Sequence, residues 1–150
     1  MKDLFRKLSV TDNNYGSIFL RISFVIMMFP HATGKLFGIF GGFGFEKSMH
    51  HLTENMGIPY ILALAAMLIE FLSSLMILVG YQTRINAFLL ASVMTVAGFM
   101  HSGNGFYMNW FGQKSGEGFE FHILAVGMML ALAMLGGGKY SLDNSKNTKL

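Results

Sequence analysis

Pro59–Val79 reads PYILALAAMLIEFLSSLMILV, twenty-one residues with a single charge, Glu70. A helix rises 1.5 Å per residue, so this run covers the ~30 Å hydrocarbon core of a bilayer. Proline suits its first position, where no backbone N–H is needed. Outward from it the same pattern repeats. Gly80–Arg84 reads as a tight turn, and Ile85 to about His101 as another, rather short, apolar run. Gly118–Leu135 is a further one, stopped by Gly136–Gly138. Before it, Tyr15 to about Ala32 (YGSIFLRISFVIMMFPHA) completes the set, with Arg21 inside and Pro30 near the end, where a kink or stop is expected. The expected fold is all-α, a four-helix transmembrane bundle forming one domain over residues 1–150, with spans near 15–32, 59–79, 85–101 and 118–135.

Composition agrees. Hydrophobic residues make up 53% of the 150-residue chain and charged residues 13%, against about a quarter charged in soluble domains. The net charge of +3 is spread over termini and loops, leaving no basic patch for nucleic acid. Cysteine is absent, which excludes disulfides, thiol redox chemistry, iron–sulfur clusters and Cys-ligated metals. No cleavable signal is read, because the first apolar run starts near Tyr15 after Lys2, Arg6 and Lys7. Met1–Asn14 reads as an interfacial segment with Leu4, Phe5 and Leu8, or as plain disorder.

Two connecting segments are unlike ordinary polar loops. Gly34–Ile58 is read as a loop containing FGIFGGFGF, too Gly-rich for a helix and too aromatic for a free linker, with a short helix over Glu46–Met56. His101–His122, HSGNGFYMNWFGQKSGEGFEFH, is dense in glycine, aromatics, histidine and glutamate. Four spans put both termini on one side, with Lys2, Arg6, Lys7, Arg84, Lys139, Lys146 and Lys149, against Lys35, Lys47 and Lys114 opposite. The positive-inside rule places the termini in the cytoplasm and both Gly/aromatic loops on the outer face. All five histidines, His31, His50, His51, His101 and His122, then fall on or beside that face.

Small residues at helical spacing mark close-packing faces: Ala63, Ala66, Glu70 and Ser73 or Ser74; Ala87, Ala91, Thr95, Gly98 and Ser102; Glu120, Leu124, Gly127 and Ala131. Arg21 and Glu70 are the deepest charges, each costing ~2.5–3.5 kcal/mol at mid-bilayer unless paired or hydrated. Arg21 either reaches the cytoplasmic headgroups or pairs with Glu70. Side chains lean toward the helix N-terminus, which tilts Arg21 inward and Glu70 outward. Glu70 then carries a proton or partners an outer cation such as Lys35 or His31. His31 and Lys35 share a face if the helix continues through them. Adjacent His50 and His51 diverge and read as surface groups. Glu117 and Glu120 face together, whereas Glu120 and His122 do not. His101, Glu117, Glu120 and His122 suit zinc or iron, but no tight ligand motif is present and no metal is assigned. A quinone-type pocket with histidine donors and aromatic walls is the other chemistry these residues offer. The plain reading makes Tyr107, Trp110 and Phe111 an aromatic belt.

HATGKLFGIFGGFG, the later EFLSSLMILVGYQTR, and NGFYMNW followed by GEGFEFH and LGGGKYSLD together resemble the DoxX family of small bacterial membrane proteins. The resemblance covers roughly Arg21–Asp143. It implies a four-helix inner-membrane protein, grouped with DoxD-like proteins associated with quinol oxidation and thiosulfate:quinone oxidoreduction. The family's HG-x-QKLFG pattern stands here as His31-Ala32-Thr33-Gly34-Lys35-Leu36-Phe37-Gly38, departing at Ala32 and Thr33. Carried over by motif, the positions of interest are His31, Lys35, Glu70, Arg84, His101, Asn104, Trp110, Glu117, Glu120 and His122.

The expected function is a subunit or accessory of quinone-linked oxidoreduction in the bacterial inner membrane. Glu70, His101, Glu120 and His122 are the expected proton and hydrogen-bonding groups, and His31, Lys35, Asn104 and Trp110 the quinone-binding ones. Without cysteine or a dinucleotide fingerprint, a redox role needs a bound cofactor, a metal or a redox partner protein. The expected associations are the lipid bilayer, such a partner and a homo-oligomer, with no nucleic acid. The alternatives are a non-catalytic membrane scaffold or lipid- or small-molecule-binding protein, and a transporter, for which no internal repeat is visible.

Overall fold

The computed structural model describes residues 11–147. The segment before Thr11, with Lys2, Arg6 and Lys7, and the side chains of Lys146 and Lys149 lie outside the described residues. Every described element is helical: α1 (Gly16–Phe37), α2 (Gly44–His50), a π-helical turn (His51–Asn55), α3 (Tyr60–Val79), α4 (Thr83–His101) running into a 3₁₀ turn (Ser102–Asn104), α5 (Glu120–Leu135) and α6 (Leu142–Asn147). Helices α1, α3 and α4 are long and apolar enough to cross a membrane, and α5 is a shorter apolar helix of 16 residues. Packing closes a ring: α1 on α3, α3 on α4, α4 on α5, and α5 back on α1. The most extensive contact is α4 with α5. There Gly98 lies so near α5 that an added Cβ would sit 3.0 Å from that of His122.

The first helix overruns its expected end at Ala32. Pro30 removes one backbone donor, which costs about 3 kcal/mol in a helix interior, yet α1 continues to Phe37. The next turn is buried, Ala32 at 0% and Thr33 at 2% exposure, and burial outweighs the lost bond. Gly34 meets the returning chain there: a Cβ on Gly42 would fall 2.3 Å from the Gly34 Cα. Only glycine permits that approach. The segment expected to be a loop from Gly34 therefore begins only at Gly38. The short helix expected over Glu46–Met56 is present as α2 and its π-helical extension.

The main core joins Phe24, Val25 and Met28 of α1 with Ile77 of α3, Leu90 and Met94 of α4, and Met129 and Leu132 of α5. The expected stripe on α4 packs inward through Ala87 and Ala91. The stripe expected on α5 does not. Leu124 is 62% exposed and nothing lies within 4 Å of a Cβ on Gly127, while Ala125, Met129 and Leu132 form the buried face. Hydrophobicity is nearly uniform around α5, so its small residues could not tell the packed side from the lipid side.

At one end of the bundle lie both ends of the described chain, joined by hydrogen bonds such as Lys139 N–H to the Asn14 carbonyl. This terminal end stands opposite the loop end, which carries segments 38–59 and 102–119.

Candidate functional site

Arg21 and Glu70 do not pair. Arg21 is 3% exposed, and its guanidinium donates to the carbonyls of Ile77 (2.8 Å), Leu78 (2.6 Å), Gly137 (3.0 Å) and Tyr140 (3.3 Å). It neither pairs with a carboxylate nor reaches the surface, which corrects both expectations for it. The α3 C-terminus, whose last carbonyls lack helical partners, offers it a better site than headgroups do. Gly80 makes room, with φ +68° and a Cβ position 2.9 Å from Arg21 Cζ.

Glu70 pairs with Lys35 instead. Lys35 Nζ lies 2.8 Å from Oε1 and 2.7 Å from Oε2. Chain direction explains the choice. Lys35, near the C-terminal end of α1, leans back into the bundle, and Glu70 on the antiparallel α3 leans toward the loop end. Arg21 leans the other way. The Glu70 side chain is 4% exposed and that of Lys35 37%, so the ammonium is the accessible half of the pair.

Beside this ion pair lies a cavity of about 520 Å³. His31, Lys35, Glu70, His101, Glu117 and His122 line it together with Met28, Met67, Met94, Met100 and Phe121. The continued α1 helix brings His31 and Lys35 to one wall, and α4 and α5 supply His101 and His122. Those two rings stand 5.0 Å apart by centroid, and His31 stands 6.0 Å from Phe121. His122 Nδ1 is buried without a hydrogen-bond partner among the described residues. A polar atom in that position calls for a partner supplied by water or a bound molecule.

Glu120, Asn104 and Trp110 sit apart from this cavity, and Glu117, on its wall, shares their loop. Glu120 Oε1 accepts from the Met108 N–H (3.0 Å) and the Trp110 indole (2.8 Å). Glu117 Oε2 accepts from the Asn109 N–H (2.8 Å), so the two glutamates hold one loop from adjacent points. Asn104 donates to the Glu117 carbonyl at 2.9 Å. Trp110 is 76% exposed and Phe111 88%, the arrangement of an aromatic belt. His50 and His51 are exposed and outside the cavity. Among the described residues no group of three or more His, Asp or Glu is placed to hold a metal ion.

Sequence reading missed three things here. The pairing of His101 with His122 was hidden because they are distant in sequence, although Gly98, one turn before His101, marks where α5 comes close. The methionine walls give no periodic signal. Asp143, buried at the terminal end, was passed over in the motif LGGGKYSLD.

Long apolar helices, buried charges within them and a cavity lined partly by polar groups define a helical membrane protein with an internal cavity. The DoxX family model matches residues 16–103, more than half of the chain and all of α1 to α4, and the protein belongs to that family. It is also similar to the inner membrane protein YqjF of Escherichia coli (strain K12), 28% identical over 134 residues that span 89% of this chain and 94% of the relative. No solved structure matches it.

Proposed function

We propose that this protein is an inner-membrane component of quinone-linked redox chemistry, binding a quinone-class ring in the cavity at the loop end. The observation that carries the reading is the unpartnered His122 Nδ1, set beside His101 and the Lys35–Glu70 pair in a cavity whose remaining lining is mostly apolar, with His31, Glu117 and Ser92 the exceptions. A cavity of about 520 Å³ falls inside the ~300–1,000 Å³ range of small-molecule sites. A quinone, when bound, supplies the two-electron, two-proton chemistry that these side chains lack. His122 and His101 hydrogen-bond a ring oxygen, and Phe121 with the methionines encloses the ring. Lys35 presents a positive charge toward that oxygen, and Glu70 holds Lys35 in place and keeps a proton-accepting group at hand. Glu120, Asn104 and Trp110 act one step back, fixing the loop over the cavity. Four membrane crossings with both termini in the cytoplasm complete the proposal. Its support is the excess of Lys and Arg at the terminal end and the inner-membrane location named for the relative. Electrons enter or leave through a redox partner, since the chain carries no cysteine or dinucleotide motif.

The test is purification in mild detergent, extraction for quinone, and thermal shift with decylubiquinone. Co-purifying quinone, or stabilisation by decylubiquinone that His101→Ala and His122→Ala remove, is the expected result. With neither, the non-catalytic scaffold reading takes its place.

A further inference from the structure

We infer that the cavity receives its ligand sideways from the bilayer, through a gap between α3 and α4, and that the ligand is an amphiphile whose hydrocarbon tail stays in that gap. The inference builds on the proposed cavity site but concerns the route and the tail, not the ring.

Depth along the two helices is set by the turn that joins them. Glu70 lies ten residues before Gly80 and Ser92 ten after Gln82, so both stand about 15 Å from the turn at 1.5 Å per residue. Between them and the turn, α3 and α4 share the core through Ile77, Ala87, Leu90 and Ala91. Beyond that depth the facing surfaces become cavity wall: Ala65, Ala66 and Ile69 on α3, and Ser92, Val93 and Val96 on α4. Ala65, Ala66 and Ser92 are the small members of this wall. Leu62 and Val96 line the cavity yet are 60% and 58% exposed on the bundle exterior, so the cavity is open at its side.

The lips of that opening are apolar apart from Ser92, whose hydroxyl is satisfied by the Phe88 carbonyl at 2.9 Å. From mid-span toward the loop end of two membrane-crossing helices the surroundings are hydrocarbon. The polar groups, Lys35, Glu70, His101 and His122, stand on the inner wall and toward the loop end. A polar interior reached through an apolar side mouth fits a molecule with a polar head and a long apolar tail. A small polar solute from water gains nothing from such a doorway.

The experiment places a tryptophan behind the lips and asks what reaches it. Trp110 is the sole tryptophan, so Trp110→Phe gives a dark background. Met67 lines the cavity and is 1% exposed, and Ile26 on the outside of α1 is 70% exposed, serving as reference. In liposomes, Met67→Trp should lose fluorescence to chain-brominated phospholipid to an extent comparable with Ile26→Trp, and lose none to aqueous iodide. Ile69→Trp, on the α3 lip, carries the same test if Met67→Trp does not fold. Quenching by iodide instead makes the mouth aqueous, and quenching by neither closes it; either result overturns the inference. Decylubiquinone binding is scored separately. If bromolipid reaches the reporter but decylubiquinone gives no thermal shift, the side entrance stands with a phospholipid chain as its occupant, and the quinone reading falls.

Discussion

The two ends of the bundle treat their polar groups in opposite ways. At the terminal end a side chain closes each long helix. Asn14 Oδ1 accepts the Ser17 N–H at the start of α1, and Arg21 takes the last carbonyls of α3. Asp143 accepts the N–H groups of Gln82 and Thr83 at the start of α4, both at 2.9 Å, and the Thr83 hydroxyl at 2.8 Å. Arg84 donates to the carbonyls of Ala133 and Met134 at the end of α5. Each charged cap has the sign that its helix dipole favours. At the loop end, charge is arranged differently: an ion pair with an accessible ammonium, two neighbouring imidazoles tilted at 35° to each other, and one buried nitrogen left over. The capped end holds the helices together, although the Ser17 hydroxyl there is also buried without a partner among the described residues, and the loop end turns an accessible ammonium and a buried imidazole nitrogen toward a cavity.

That contrast can be broken first at Arg21. Arg21→Met takes a donor from four carbonyls, of which only Ile77 keeps another, the Gly80 N–H, and should cost about 4 kcal/mol, lowering the melting temperature by roughly 10 °C in detergent. Arg21→Lys should not restore it, because a single ammonium cannot replace the planar fork. If Arg21→Lys melts with the wild type, the fork is not what closes that end.

Next comes the ion pair. Lys35→Met strands a buried Glu70 and should cost about 3 kcal/mol. In the double variant Lys35→Met/Glu70→Met more than half of that loss should return, and a double-mutant cycle on thermal unfolding measures it. Additive losses would mean that the two charges do not depend on each other. Asp143→Ala should cost about 1–2 kcal/mol as a lost cap, with Asp143→Asn intermediate and decylubiquinone binding untouched. Should binding fall as well, the two ends are coupled rather than separate. The smallest effect belongs to Trp110→Phe, which removes one exposed indole hydrogen bond and should shift melting by no more than about 2 °C.

Local composition carried much of this plan. The runs Pro59–Val79 and Ile85–His101 were legible because length and apolarity alone specify a span, and their observed bounds differ by two residues or fewer. The overrun of α1 past Pro30 was not legible. It depends on Gly34 packing against Gly42, a contact between backbones that no side chain announces. In the site, Lys35 was named among the possible partners of Glu70 because the lean of helical side chains is a local rule. The meeting of His101 with His122 depends on how α4 and α5 cross, and Glu120 turned from the cavity toward the loop because Met108 and Trp110 offered it donors.

The Asp143 cap has a consequence for the order in which the protein is made. Residues 82 and 83 leave the ribosome some sixty positions before the carboxylate that accepts their N–H groups. Until then the start of α4 has no side-chain acceptor at Thr83, and Arg21 lacks the Gly137 and Tyr140 carbonyls. The first helices can therefore enter the bilayer early, but their terminal end is locked only when the last stretch of chain arrives. A chain cut after Gly138 should insert and yet stay loose at that end, read as faster proteolysis near Gly80 than in the full-length protein.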